Sequence, residues 1–169
     1  MNWQEIDGWF TPSDASLYKY VANKLPDGFS MLEVGAYKGR STMCMIECLK
    51  KEGKKASIDV VDNFSGDQHI GYKDSYPDFK KNVDWDYIRQ VYIGNSPFVS
   101  HNVNRSYDFI FIDASHDYES VKNDILTWNE HLNPNGLIAG HDYQWSSVRK
   151  AVDEIFLNLR VFGTCWLKE

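Results

Sequence analysis

The sequence of 169 residues contains few cysteines, few prolines and no long hydrophobic run. Three cysteines are too few, and odd in number, for a disulfide framework, so reduced thiols are expected. The apolar stretches are all shorter than a membrane-spanning helix, so no membrane partner is predicted. The first residues also lack a basic segment followed by an apolar core. No secretory signal is therefore predicted, and the expected location is cytoplasmic.

Positive charge is scarce as well. The chain has 18 Lys and Arg against 24 Asp and Glu, which gives a net charge of −6 at pH 7. An acidic chain of this kind is not expected to bind the backbone of a nucleic acid. The sequence does have a hydrophobic fraction of 43% with 15% aromatic residues, which is enough for a packed core. Its length predicts one domain over residues 1–169.

Strand and helix patterns alternate along the chain. Short apolar runs are followed by segments with one apolar helical face, which predicts an α/β fold: a doubly wound, mostly parallel sheet with helices on both faces. The predicted strands cover residues 29–34, 56–62, 91–94, 108–113 and 137–140. The predicted helices cover about residues 13–25, 39–51, 77–83, 118–131 and 146–159, with a further helical turn over 86–90 and a tight turn over 133–136.

Three segments lie outside this alternation. Residues 1–28 form an N-terminal segment and the first helix, with residues 1–12 predicted to cover a sheet edge or a ligand. Residues 63–90, which include His69, are polar and aromatic and are predicted to form a lid or substrate wall; packing over the sheet is the alternative. Residues 161–168 have room for one strand or a very tight hairpin. An open edge there would allow the chain to form a homodimer.

The most informative stretch joins the first strand to its helix and runs from Glu33 to Gly39. Gly35 and Gly39 stand four residues apart after a strand-terminal acid. Glycines let the backbone approach a ligand closely, and such a turn aims backbone N–H groups at it. Asp62 ends the next strand, where an acid typically binds ribose hydroxyls. Tyr37 stands where a dinucleotide fingerprint needs another glycine, so a nucleoside without pyrophosphate is favoured, and S-adenosylmethionine is the obvious candidate.

A second group of residues carries acid–base chemistry. Asp113 and Asp142 follow adjacent predicted strands, so their carboxylates are expected to converge at one crevice. His116 and His141 accompany them. Either histidine could act as a general base, bind a metal or simply bond to the backbone.

These stretches together resemble the class I S-adenosylmethionine-dependent methyltransferases, most closely methyltransferase family 24. The most specific matches are residues 111–118, Phe-Ile-Asp-Ala-Ser-His-Asp-Tyr, and residues 132–143, Leu-Asn-Pro-Asn-Gly-Leu-Ile-Ala-Gly-His-Asp-Tyr. The resemblance covers about residues 30–157. It implies the strand order three-two-one-four-five with an irregular antiparallel end, and methyl transfer to a small-molecule acceptor, expected to be a hydroxyl.

The resemblance also implies a role for each matching position. The glycine turn would line the methionine half of the cofactor, Asp62 would hold the ribose, and the residues after the third strand would face the adenine. The implied cofactor contacts are Glu33, Gly35, Ala36, Tyr37, Gly39, Ser41, Asp62, Asn63, Asn95, Ser96 and Asp113. The implied catalytic residues are His116, His141 and Asp113.

Related catechol-type enzymes hold magnesium with acids after the same two strands. If this chain binds a divalent metal such as Mg²⁺, the expected ligands are Asp113, His141 and Asp142. The catechol-type pattern has an Asp-Asn pair where this chain has His141-Asp142, which weakens that expectation. Two other functions remain open: a cofactor-binding module without catalysis, and a metal-dependent hydrolase using the His-Asp pairs at 116–117 and 141–142.

Overall fold

The computed structural model describes residues 2–66, 71 and 73–169. The strands are β1 (Phe29–Val34), β2 (Ala56–Asp62), β3 (Ile88–Ile93), β4 (Tyr107–Ile112), β5 (Leu132–Gly140), β6 (Arg160–Phe162) and β7 (Cys165–Lys168). The α-helices are α1 (Ala15–Lys24), α2 (Arg40–Lys51), α3 (Tyr76–Asn82), α4 (Ser96–Val99), α5 (Tyr118–Asn129) and α6 (Ser146–Ile155). Short 3₁₀ turns cover Trp3–Glu5 and Ser100–Asn102.

The strands form one sheet in the order β3-β2-β1-β4-β5-β7-β6. The first five run parallel, and the last two pair antiparallel. This confirms the predicted fold class and the strand order that the family resemblance implied. The C-terminal residues form the tight hairpin, with Gly163 and Thr164 between β6 and β7. Because the parallel strands share a direction, their carboxyl ends meet along one edge of the sheet.

The sheet is covered on both faces, and β4 illustrates the two layers. Phe109 and Phe111 belong to the core beneath α1 and α2, whereas Ile110 and Ile112 belong to the core beneath α5 and α6. Successive strand residues point to opposite faces, so a strand buried on both sides is apolar throughout. Within the described ranges, none of the helices combines the length and apolarity needed to cross a bilayer.

Several predicted boundaries are wrong, because strand pairing overrides the local pattern. Within the helical turn expected over residues 86–90, residues 88–90 instead begin β3, where Ile88 pairs with Ile58. The turn expected over residues 133–136 lies inside β5, which already pairs with Tyr107 at Leu132. The predicted helices are also too long: α1 begins two residues after Ser13, and α5 and α6 end earlier than expected.

The described part of residues 63–90 packs mainly onto the sheet. Phe64, Phe79 and Tyr87 are 3%, 0% and 5% exposed, and all three belong to the core beneath α1 and α2. Trp85 is the exception and is about half exposed. These side chains pack over the sheet, as the alternative predicted, and the role of the segment as a lid or substrate wall stays a prediction. His69 lies outside the described residues.

Candidate active site

The turn between β1 and α2 depends on two glycines in the left-handed backbone region. Gly35 and Gly39 have φ angles of 87° and 85°. A Cβ on Gly35 would lie 2.0 Å from the carbonyl oxygen of Asp113, and one on Gly39 would lie 2.7 Å from a methyl carbon of Val83. The protein itself therefore fills the space that a side chain would need. This packing by itself requires glycine at both positions, and the approach of a ligand to their backbone stays a prediction.

Asp62 holds this turn in place. Its Oδ2 accepts hydrogen bonds from the backbone N–H groups of Ala36 and Tyr37, both at 2.7 Å, and its Oδ1 accepts one from Phe64 at 2.6 Å. Tyr37 has a φ of 48°, so these bonds stabilise an unfavourable backbone conformation. Asp62 stays partly accessible at the carboxyl end of β2. Each carboxylate oxygen can accept more than one bond, so the ribose contact stays a prediction.

Glu33 lies beneath the turn instead of lining the crevice. Its side chain is fully buried, and its two carboxylate oxygens accept hydrogen bonds from the hydroxyl groups of Ser41, at 2.6 Å, and Thr42. Burial raises the pKa of Glu33 to about 7, although the two hydroxyl groups oppose the shift. The expectation that Glu33 and Ser41 contact the cofactor directly is corrected: they bond to each other and fix the start of α2.

The residues that follow β2 and β3 lie close together, but they differ in exposure. The side-chain amide of Asn63 donates a 2.9 Å hydrogen bond to Oδ1 of Asn95, and both residues are exposed. Ser96 is buried, and its hydroxyl accepts a 2.7 Å hydrogen bond from the indole of Trp128. The Ser96 side chain thus points into the core, and the contact of Asn63 and Asn95 with an adenine ring stays a prediction.

The carboxyl ends of β4 and β5 bring the predicted histidines and carboxylates together. His141 lies with Nδ1 3.2 Å from Oδ2 of Asp142 and 3.5 Å from Oδ1 of Asp113. The same Asp142 oxygen lies 2.9 Å from Nε2 of His116. The backbone of Asp142 is in the left-handed region, with a φ of 58°, and its side chain lies between the two rings. These residues line one crevice, whose floor includes Ile112 and Trp166.

A residue outside the predicted set completes this cluster. Asp14, fully buried just before α1, places Oδ2 3.3 Å from Nε2 of His141. Its Oδ1 accepts hydrogen bonds from the backbone N–H and hydroxyl of Thr164, at 2.7 and 2.9 Å, and Oδ2 accepts others from Thr11. No motif links these positions, because Asp14 and His141 are 127 residues apart. Only the folded sheet brings them together.

The charges in this cluster set the protonation state of His141. Burial alone would lower the pKa of the imidazole, but Asp113, Asp14 and Asp142 raise the pKa of His141 well above its usual range. For Asp142, burial opposes ionisation, yet hydrogen bonds from His116 and His141 hold the pKa of that carboxyl below its usual range. Carboxylates at both ring nitrogens therefore favour the imidazolium form of His141. A protonated ring cannot accept a proton, so the geometry favours His116 over His141 as the base.

The same geometry bears on the expected metal site. Asp113, His141 and Asp142 do offer ligand atoms within 4.8 Å of one another. Nδ1 of His141 faces the carboxylates of Asp142 and Asp113, whereas Nε2 faces Asp14 and the hydroxyl of Thr164. A metal-bound histidine commonly donates its second ring N–H to a carboxylate in this way. The arrangement suits an imidazolium held between carboxylates, and the metal ligands stay a prediction. The metal-dependent hydrolase alternative would use His116 and Asp117 as one of its two pairs. Asp117 instead caps α5, where it accepts a 3.0 Å hydrogen bond from the backbone N–H of Ser120.

The N-terminal segment closes one side of this region. Arg40, at the start of α2, donates hydrogen bonds to the backbone carbonyls of Gln4, Ile6 and Phe10. The Phe10 ring lies 5.8 Å from the ring of His141. The segment therefore packs over the turn and behind the histidine, in line with its predicted covering role.

Comparison with protein families identifies the chain. The family model described as a methyltransferase domain, that of methyltransferase family 24, matches residues 32–143, which is more than half of the chain. The protein therefore belongs to this family of S-adenosylmethionine-dependent methyltransferases with a Rossmann-like fold. A search of curated proteins by sequence found no match.

Solved structures agree on the fold. Cofactor-bound Rv0187 from MTB is similar with a TM-score of 0.71 at 12% identity, over 96% of this chain and 82% of that one. The O-methyltransferase NovP gives 0.68 at 13%, over 92% and 78%. CalS11, a TDP-rhamnose 3'-O-methyltransferase of calicheamicin biosynthesis, gives 0.62 at 14%, over 90% and 76%. At these identities the likeness concerns the fold.

Proposed function

We propose that this methyltransferase transfers the methyl group of S-adenosylmethionine to a hydroxyl oxygen of a small molecule, with His116 as the general base. The observation that supports this most strongly is the His116–Asp142 pair at the crevice, with a 2.9 Å contact between the ring and the carboxylate. A base oriented by a carboxylate is the arrangement that activates weak oxygen nucleophiles. The O-methyltransferases among the structural neighbours are consistent with an oxygen acceptor.

The residues present fit the cofactor. Asp62 offers a carboxylate for ribose hydroxyls, the amides of Asn63 and Asn95 suit adenine edges, and Asp113 supplies negative charge at the end of β4. When bound, S-adenosylmethionine supplies an electrophilic methyl carbon on a sulfonium. Carboxylates around a cation favour its binding.

In the proposed reaction, His116 removes the proton of the acceptor hydroxyl as the oxygen attacks the methyl carbon. The new bond is carbon–oxygen, the carbon–sulfur bond breaks, and the proton ends on the imidazole. Asp142 holds the ring by its Nε2 and stabilises the imidazolium that forms. Most of the rate gain in such a transfer comes from holding donor and acceptor in line.

The cofactor and the reaction can be tested together. Calorimetric titration with S-adenosylmethionine is expected to give binding in the micromolar-to-millimolar range. Incubation with the methyl-labelled cofactor and a panel of small phenols, aliphatic alcohols and amines is then expected to label a hydroxyl compound. Binding without label on any panel member or on a metabolite extract would favour the cofactor-binding module instead.

The role of His116 predicts a large effect of one substitution. His116→Asn should lower kcat by about 100-fold or more, because a positioned base contributes roughly that much, while the cofactor Kd stays the same. His101→Asn is the matched control, since His101 is an exposed histidine on a 3₁₀ turn away from the crevice. An unchanged kcat in His116→Asn would exclude His116 as the base.

We further propose that the reaction proceeds without a divalent metal. His141, bonded by carboxylates through both ring nitrogens, already supplies the positive charge between Asp113 and Asp142. Prolonged treatment with EDTA should therefore leave kcat unchanged, and added Mg²⁺ should not raise it. A loss of activity that Mg²⁺ or another divalent ion restores would contradict this part of the proposal.

We also propose that the acceptor is a small molecule, that the protein has no nucleic-acid partner, and that its location is cytoplasmic.

A further inference from the structure

We infer that Asp14 is a positioning residue for the His116 base, acting through His141 and Asp142; this inference rests on the proposed function. The four side chains alternate carboxylate and imidazole from the buried start of α1 to the crevice. The successive contacts are 3.3 Å from Asp14 to His141, 3.2 Å from His141 to Asp142, and 2.9 Å from Asp142 to His116. The side chains become more exposed along this series, from Asp14, which is fully buried, to His116, whose side chain is 22% exposed.

Asp14 is itself fixed from two directions. Thr11 donates its backbone N–H and its hydroxyl to Oδ2, at 2.8 and 2.6 Å. Thr164, in the β6–β7 turn, donates its N–H and hydroxyl to Oδ1, and the same hydroxyl lies 3.0 Å from Nε2 of His141. These contacts leave little freedom for the carboxylate, so it can set the rotation of the imidazole ring.

The rotation of His141 matters because one carboxylate oxygen serves both histidines. Oδ2 of Asp142 accepts from Nδ1 of His141 and from Nε2 of His116. Asp142 also has a left-handed backbone, which surrounding contacts must hold. If the His141 ring turned, Asp142 would lose one of its two ring donors, and the orientation of His116 would no longer be fixed. A small misplacement of a catalytic group can lower a rate about 100-fold.

The substitution Asp14→Asn tests this with little change in shape. We expect a folded protein with an unchanged S-adenosylmethionine Kd and KM, and a kcat lower by about 10- to 100-fold on the best acceptor of the panel. The matched control is Asp108→Asn. Asp108 likewise accepts bonds from a backbone N–H and a hydroxyl, both from Ser30 at 2.8 Å, but lies at the opposite end of β4.

A double-mutant cycle separates positioning from simple destabilisation. If Asp14 acts through His141, then Asp14→Asn should have no further effect on kcat in a His141→Gln background. Effects that multiply, or a loss of stability in Asp14→Asn that equals that of Asp108→Asn with kcat unchanged, would overturn the inference.

A spectroscopic readout keeps the test independent of turnover. In the presence of S-adenosylhomocysteine, the ring ¹⁵N resonances of His116 should move in Asp14→Asn and stay in place in Asp108→Asn. Unmoved His116 resonances would also overturn the inference. Absence of methyl transfer by the parent protein, with the resonance change present, would instead count against the proposed function.

Discussion

Glu33 places a fully buried carboxyl group between β1 and α2, where it accepts hydrogen bonds from the hydroxyl groups of Ser41 and Thr42. Burial raises the pKa of Glu33 from 4.5 to about 7. Below pH 4.5 the folded and unfolded chains both carry the proton. As the pH rises towards 7 the unfolded chain ionises first, so folding becomes less favourable by on the order of 3 kcal/mol, and above pH 7 the penalty is constant.

Glu33→Gln should remove this penalty. The stability of the variant relative to the parent is expected to rise as the pH goes from 4.5 to 7, by up to about 3 kcal/mol, since the amide has no proton to lose. Urea unfolding at several pH values measures this difference. Glu52→Gln, at an exposed position after α2, should show no such trend. A difference that does not vary with pH would mean that the native Glu33 carboxyl is not perturbed.

Single side chains also mark where sequence reasoning succeeded and failed in the site. Asp62, Asp113 and Asp142 lie at the carboxyl ends of parallel strands, so the sequence could predict that they meet at one edge of the sheet. Ser96 has the right position in the chain, but its hydroxyl turns towards Trp128 because a buried indole N–H needs an acceptor. The orientation of the Ser96 hydroxyl depends on Trp128, a residue of another element, so the sequence around Ser96 could not predict it.

The β1–α2 turn shows how packing between neighbouring strands determines which residue a turn requires. Asp113 follows β4, and its carbonyl oxygen occupies the space beside Gly35 because β1 and β4 are neighbours in the sheet. The glycine is thus required by the packing of two strand ends. A ligand need not enter that argument.

This difference can be measured with two alanine substitutions. Gly35→Ala should destabilise the protein by several kcal/mol or prevent folding, because the new Cβ would lie 2.0 Å from a backbone oxygen. Gly53→Ala is the control: its φ of 66° is also left-handed, but beyond its two chain neighbours no heavy atom of the described residues lies within 4 Å of the new Cβ. Its effect should be only about 1 kcal/mol, from backbone strain alone. Equal urea midpoints for the two variants would contradict the packing argument.

Element boundaries were predicted well where the local pattern and the packing agree. The apolar run of β4 and the span of β2 follow directly from buried parallel pairing. The start of β5 could not be predicted, because Asn133-Pro134-Asn135-Gly136 is a turn sequence by composition. The structure accommodates it by shifting the register between β4 and β5 and placing Asn135 at a φ of 63°.

For the whole molecule, the C-terminal edge of the sheet exposes apolar side chains. β6 has only three residues, and among the described residues it pairs with β7 alone. Val161 on β6 is 54% exposed and Leu157 just before it is 76% exposed. We therefore retain the homodimer as a proposal for this edge.

Sedimentation at micromolar concentrations should then give a dimer for the parent and a monomer for Val161→Lys, since a lysine on an edge strand disfavours pairing. Val161→Thr should remain dimeric. A parent that sediments as a monomer at every concentration would exclude this edge as an interface.

The hydrogen bonds between Asp14 and Thr164 join positions 150 residues apart in the chain. During synthesis on the ribosome, Asp14 emerges early, and its acceptor bonds from the β6–β7 turn can form only after residue 164 has left the exit tunnel. β7 must also insert between β5 and β6 before the sheet is complete. The contacts that fix Asp14 beside His141 are consequently among the last that the chain can complete during synthesis.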